Sequence, residues 1–133
     1  MAIVQLACSV ERTDGEVTIV LAGEADLATI DQLRDVLFDA VQSRPARVVV
    51  DLRGLVFIDS MSIGTLVAAR RAALEHGAEF TVTHPRGQVF KVLKTAGVLG
   101  VLTAGDLAAG DLAAGGYAAG DLAAGGYVAG AGA

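Results

Sequence analysis

Asp59, Ser60 and Ser62 stand almost in a row in the stretch FIDSMSIG, residues 57–64, with apolar residues on both sides. An acid beside two hydroxyls can serve three kinds of chemistry. A hydroxyl can attack as a nucleophile if a base stands close, accept a phosphoryl group from another protein, or cap a helix. As a cap, Ser60 would accept a hydrogen bond from the Ser62 or Ile63 amide, and Asp59 would favour the positive end of the helix dipole. As a phosphate acceptor, Ser60 would carry its new charge where helix-terminal amides already favour anions. Nucleophilic catalysis fits poorly. Ser60 lacks the G-x-S-x-G turn, and the two candidate bases, His76 and His84, read as boundary residues before Gly77 and Pro85.

A second acid, Asp26, lies in GEADLATIDQ. If Thr29 caps the helix that follows, with Gln32 reaching back to close a capping box, the Asp26 carboxylate stays free in a loop. Asp26 is an equally good cap, so that alternative stays open. There is no P-loop, and one Cys with two His is too few for a zinc site. The chain is therefore expected to hold no metal or cofactor and not to be an enzyme.

The elements that position these residues follow from periodicity. Val4, Leu6, Cys8 and Val10 alternate with polar or small neighbours, Asp14-Gly15 signals a hairpin turn, and Val17, Ile19 and Leu21 alternate again until Gly23. Ile30, Leu33, Leu37, Ala40 and Val41 recur at helical spacing, and Ser43-Arg44-Pro45 stops the helix. RVVVDL, residues 47–52, is the β-branched run of a parallel strand covered on both faces. A second helix should turn Ile63, Leu66, Val67, Ala69, Ala73 and Leu74 inward and stop at His76-Gly77. Phe80 and Val82 mark a last strand closed by Pro85, and Val89, Val92, Leu93 and Ala96 a third helix stopped at Gly97. The order ββαβαβα predicts an α/β fold, a small mixed sheet with helices packed on it. FIDSMSIG then lies where a strand ends and a helix opens, where open α/β sheets collect ligands and partners.

Charge narrows the partners. The formal net charge is −5; Asp106, Asp111 and Asp121 carry three of those charges, so residues 1–103 set 10 basic against 12 acidic groups. No basic face for nucleic acid or for an anionic membrane emerges. MAIVQLACSV has no basic leading segment, and Glu11-Arg12 follow at once, so it does not read as a signal peptide. No run reaches the ~18 apolar residues of a membrane span. A cytoplasmic protein that binds other proteins is expected.

GEADLATIDQLRDVL (23–37), VVVDLRGLVFIDSMSIGTLVAA (48–69) and KVLKTAGV (91–98) together resemble the anti-sigma factor antagonist family, the bacterial STAS domain. The resemblance covers most of residues 1–103. It implies that Ser60 is phosphorylated by an anti-sigma factor that is itself a serine kinase, and reset by a serine phosphatase. Unphosphorylated antagonist would bind the anti-sigma factor and free a sigma factor. Asp26, Asp59, Met61 and Ser62 would belong to the partner-binding surface. The family usually reads Asp-Ser-Ser-Gly-Leu; here Met61 replaces the second Ser and Ser62 the Gly, which adds a side chain to the docking face and a second candidate acceptor. The alternative is a STAS subunit that is not phosphorylated, in a transport or stressosome-like complex, with Ser60 only a cap. A phosphoacceptor aspartate at Asp51, after RVVV, lacks the paired magnesium-binding acids that such sites require, and Asp51 reads as a turn or capping residue.

From Ala104 the sequence changes character. GDLAA, GDLAA, GGYAA, GDLAA and GGYVA follow one another at a period of five, with Leu107, Leu112, Tyr117, Leu122 and Tyr127 at one position. Pentapeptide repeats that coil into a β-helix are similar, but five units are too few to bury an inner row. Residues 104–133 are read as a flexible low-complexity tail beside one domain, residues 1–103.

Overall fold

The computed structural model describes residues 5–103; Val4 and the repeats of residues 104–133 lie outside the described residues. β1 (Leu6–Thr13) and β2 (Glu16–Ala25) form the expected hairpin. Its two-residue turn places Asp14 and Gly15 at φ 31° and 83°, the positive values that favour Asp-Gly at such a turn. β2 does not end at Gly23. It runs on to Ala25, with Gly23 at φ 104°, and a side chain there would collide with the Gln5 carbonyl oxygen. The glycine is a passage in the strand, not its end.

α1 (Ile30–Gln42) buries Ile30, Leu33, Leu37, Ala40 and Val41, as its spacing requires, and Arg44 at φ 57° breaks it before Pro45. β3 (Arg47–Ile58) is twice the expected length. Val48, Val50 and Leu52 are buried while Arg47, Val49 and Asp51 are half-buried, so β3 has one core face and one partly open face rather than two covered ones. Beyond Leu52 its register against β2 shifts twice, between Val20 and Ala22 and between Gly23 and Glu24. Each shift resets which side chains face inward and keeps Leu55 and Ile58 in the core.

α2 (Ser60–Glu75) buries Ile63, Leu66, Ala69 and Ala73; Val67 is half-buried, and Leu74 is turned to solvent rather than inward. β4 (Glu79–Thr83) pairs only with residues 47–51 of β3. α3 (Gly87–Thr95) packs against β3 through Val89 and Leu93. A short α4 (Leu99–Leu102), absent from the periodicity reading, buries Val101 and Leu102. The four-stranded sheet has the order β1-β2-β3-β4, antiparallel in the hairpin and parallel thereafter. The α/β order ββαβαβα holds, with α4 added at its end. α1 and α2 pack on each other above β2, β3 and β4, so both helices start at the end where β2 and β3 finish.

Candidate functional site

β2 and β3 end side by side, Ala25 opposite Ile58, and the Asp59 amide donates to the Ala25 carbonyl at 3.0 Å. That bond ties the entrance of α2 to the loop that carries Asp26. Asp59, not Ser60, is the N-cap of α2. Its backbone is extended, its Oδ1 accepts the Ser62 amide at 2.8 Å, and its carbonyl accepts the Ile63 amide at 3.0 Å. The acid wins because α2 begins at Ser60, one residue earlier than a Ser60 cap would need.

Ser60 is thereby relieved of capping. It is the first residue of α2, exposed, with no hydrogen-bond partner for its hydroxyl among the described residues. Met61 beside it is 52% exposed. Ser62 is the opposite case. It is fully buried, and its hydroxyl has no hydrogen-bond partner among the described residues. A buried hydroxyl can neither accept a phosphoryl group in the folded domain nor touch a docking protein. This corrects the reading of Ser62 as second acceptor and partner-binding residue: the side chain that replaces glycine points into the core.

Asp26 is also engaged. It caps a single 3₁₀ turn, Leu27–Thr29, in a reciprocal box: its Oδ1 accepts the Ala28 amide at 3.0 Å, and the Thr29 hydroxyl accepts the Asp26 amide at 3.0 Å. Thr29 makes no side-chain cap for α1, and Gln32 does not reach back to it; the Gln32 amide instead donates to the Leu6 carbonyl at 2.8 Å. The expected Thr29–Gln32 box is thus replaced by an Asp26–Thr29 box three residues earlier. In both aspartates one carboxylate oxygen holds the backbone, and the other has no hydrogen bond among the described residues.

Periodicity missed the apolar members of this surface. Leu27 (65% exposed), Val56 (63%) and Phe57 (39%) are, like Met61, large apolar side chains left in solvent. Leu27 lies two residues beyond Ala25, and Val56 and Phe57 lie just before Ile58, so the Asp59–Ala25 bond gathers them. Contiguous exposed apolar surface is where other proteins dock, which makes these side chains candidates for a binding face. A signal was present in GLVFID: Phe57 and Ile58 are neighbours on a strand, and only one can face the core.

Asp51 sits within β3 opposite Thr83, not in a turn. Its Oδ1 accepts the Arg53 amide at 2.9 Å and lies 3.5 Å from Nδ1 of His84, the left-handed residue after β4. Among the described residues no group of three His, Cys, Asp or Glu side chains could hold a metal ion. Among those same residues no helix is long and apolar enough to cross a membrane. The thiol of Cys8 is pushed up by burial, against a smaller lowering from Gln32.

The family described as "Mlab, STAS domain" matches residues 8–104. An "Anti-sigma F factor antagonist" of Paenibacillus polymyxa is 26% identical over 98 residues, covering 73% of this chain and 84% of that protein. A STAS-domain containing protein of Pseudomonas aeruginosa is 32% identical over 78 residues, 59% of this chain and 76% of its own length. Among solved structures, the anti-sigma factor antagonist SpoIIAA in its unphosphorylated form superposes with a TM-score of 0.64 at 25% identity, covering 73% of this chain and 85% of that one. The Bacillus SpoIIAA in its phosphorylated form superposes at 0.59, again at 25% identity, covering 73% and 88%.

Proposed function

Since the chain belongs to the STAS-domain family, we propose that it is an anti-sigma factor antagonist, in the cytoplasm, whose binding to an anti-sigma factor serine kinase is switched by phosphorylation of Ser60. One observation carries this reading. Ser60 offers an exposed hydroxyl, freed from capping by Asp59, at the end of the paired strands β2 and β3 where Leu27, Val56, Phe57 and Met61 are also exposed. Its likeness to SpoIIAA, a protein solved both with and without phosphate, supports the same role.

The chain acts as acceptor and partner, not as an enzyme. The kinase aligns the γ-phosphorus of ATP with the Ser60 Oγ. The new O–P bond forms as the bond to the ADP oxygen breaks, and the serine proton passes to a base of the kinase. The domain's contribution is presentation: a rigid first helical turn, held by Asp59 from one side and by the Asp59–Ala25 bond from the other. Phosphate adds about −1.5 to −2 charges at a helix N-terminus, where anions are stabilised, so the fold persists. The same charge, beside the carboxylates of Asp26 and Asp59, opposes an apolar contact. The antagonist then leaves its partner until a serine phosphatase transfers the phosphoryl group to water.

The test is labelling with the cognate anti-sigma kinase and ATP, followed by binding. Ser60→Ala should abolish labelling and retain binding; Ser60→Glu should fold normally and bind at least tenfold more weakly. Label that persists in Ser60→Ala would refute the assignment of the acceptor. The second reading, an unphosphorylated STAS subunit of a transport or stressosome-like complex, is favoured by the Mlab description and by Met61 and Ser62 in place of Ser and Gly. It replaces the first if no cognate kinase labels either serine.

A further inference from the structure

β1 is the outer strand of the sheet, and its register decides which of its backbone groups remain open. The Glu24 amide donates to the Gln5 carbonyl at 2.7 Å, and the ladder continues without a shift from Leu6↔Gly23 to Thr13↔Glu16. In an antiparallel pair, hydrogen-bonded and non-hydrogen-bonded positions alternate. Ala7, Ser9, Glu11 and Thr13 therefore bond to β2, while Leu6, Cys8, Val10 and Arg12 point their N–H and C=O groups away from it. The Leu6 carbonyl confirms this direction, because the Gln32 side chain captures it from outside at 2.8 Å. Among the described residues nothing takes the outward groups of Cys8, Val10 and Arg12.

Proteins guard such an edge with charged side chains, lysine above all, with proline or with a bulge. β1 has no proline, lysine or bulge, and its two charges, Glu11 and Arg12, stand toward its far end, with the Arg12 side chain drawn to Asp39 and Ser43. Val10, at the centre of the open stretch, is 40% exposed. We propose that the β1 edge binds a second copy of this chain, strand against antiparallel strand, with Val10 opposite Val10 on the two-fold axis.

The register is what selects a second copy over an arbitrary peptide. With Val10 on the axis, Cys8 falls opposite Arg12 of the second copy and Arg12 opposite its Cys8. All three outward-pointing residues then form hydrogen-bonded pairs, and the pairing stops where the Leu6 carbonyl is already taken by Gln32. The two exposed Val10 side chains meet across the axis on the helix-covered face. No like charges stand directly opposite, since Glu11 faces Ser9 and Arg12 faces Cys8. The two sheets join into one of eight strands by an isologous contact that closes on itself. The edge lies on the far side of β2 from β3 and Ser60, so the proposed switch is left uncovered and the inference does not depend on it.

A strand-edge contact is small, so the association is weak and concentration-dependent. Sedimentation equilibrium of the full chain should show a monomer–dimer equilibrium. Val10→Pro removes an outward N–H that β2 does not use, and Val10→Lys puts a charge on the axis; each should weaken the dimer at least tenfold with the circular dichroism spectrum unchanged. Hydrogen-bonded partners have Cα atoms about 5.5 Å apart, within disulfide range. The double variant Cys8→Ser, Val10→Cys should therefore crosslink to dimer on oxidation, and Cys8→Ser, Ser9→Cys should not. The proposal is overturned if the chain stays monomeric up to about 1 mM, if the dimer survives both Val10 variants, or if the position-9 cysteine crosslinks in preference.

Discussion

The hydroxyl of Ser62 is fully buried and bonds to nothing among the described residues. A buried polar group without a partner costs about 1–3 kcal/mol, and alanine is also the better helix former. Ser62→Ala should thus stabilise the domain by about 1 kcal/mol, raising Tm by roughly 4–8 °C for a domain of this size. It should leave labelling of Ser60 unchanged. Thermal melts and kinase assays on the one variant check both halves, and a fall in Tm would mean the hydroxyl is bonded after all. Its neighbour Asp59 works in the other direction. Asp59→Ala removes the cap of α2 and should cost about 1 kcal/mol, while Asp59→Asn keeps an acceptor oxygen and should cost a few tenths at most. Sequence could place this cluster but not divide its labour. Both Asp59 and Ser60 are good caps, and the choice turns on the single residue by which α2 starts earlier than a Ser60 cap would allow, at the point where the Asp59 amide bonds to the Ala25 carbonyl of another strand.

At the scale of elements, what could be read from the sequence and what could not follow one rule. Elements with an undisturbed period, such as the hairpin around Asp14-Gly15 and the apolar stripe of α1, were legible because their pattern is local. The far half of β3 was not, because two register shifts break the alternation after Leu52, and shifts are set by the partner strand. Gly54 marks the place: a side chain there would come within 2.9 Å of the Ala22 side chain. The same shifts leave Val56 and Phe57 in solvent, so the apolar half of the candidate site was hidden where the period failed. The turn between β2 and α1 offers a test. Asp26 holds it through one oxygen that asparagine also supplies. Asp26→Asn should therefore leave stability within about 0.5 kcal/mol, whereas Asp26→Ala loses the box and should cost about 1 kcal/mol. Any loss of partner binding in Asp26→Asn then reports the charge at the docking surface. If Asp26→Asn binds as wild type, the carboxylate is only a cap.

At the scale of the whole molecule, the C-terminal limit of the folded domain can be located by truncation. α4 buries Leu102 completely and Val101 nearly so, and it contacts α2, α3 and β4. Backbone and side chains up to Leu102 therefore belong to the folded unit, whatever the composition suggests about the glycine and alanine around them. The repeats that begin beyond Thr103 carry Leu and Tyr at a period of five, which matches neither a helix face nor a strand face of the domain. Their three aspartates also carry more than half of the net charge of −5. Removing them should raise the isoelectric point without touching the core. A chain cut after Ala104 should melt within a few degrees of the full protein, bind its partner with unchanged affinity, and retain labelling at Ser60. A chain cut after Gly97 should behave differently. It loses Val98, Val101 and Leu102, and deletion of even one such buried side chain costs about 2–5 kcal/mol, a large part of the stability of a domain this small. Thermal melts of the two truncations beside the full chain place the boundary. A large loss on cutting after Ala104 would show that the repeats pack on the domain, and an unchanged melt on cutting after Gly97 would remove α4 from the fold.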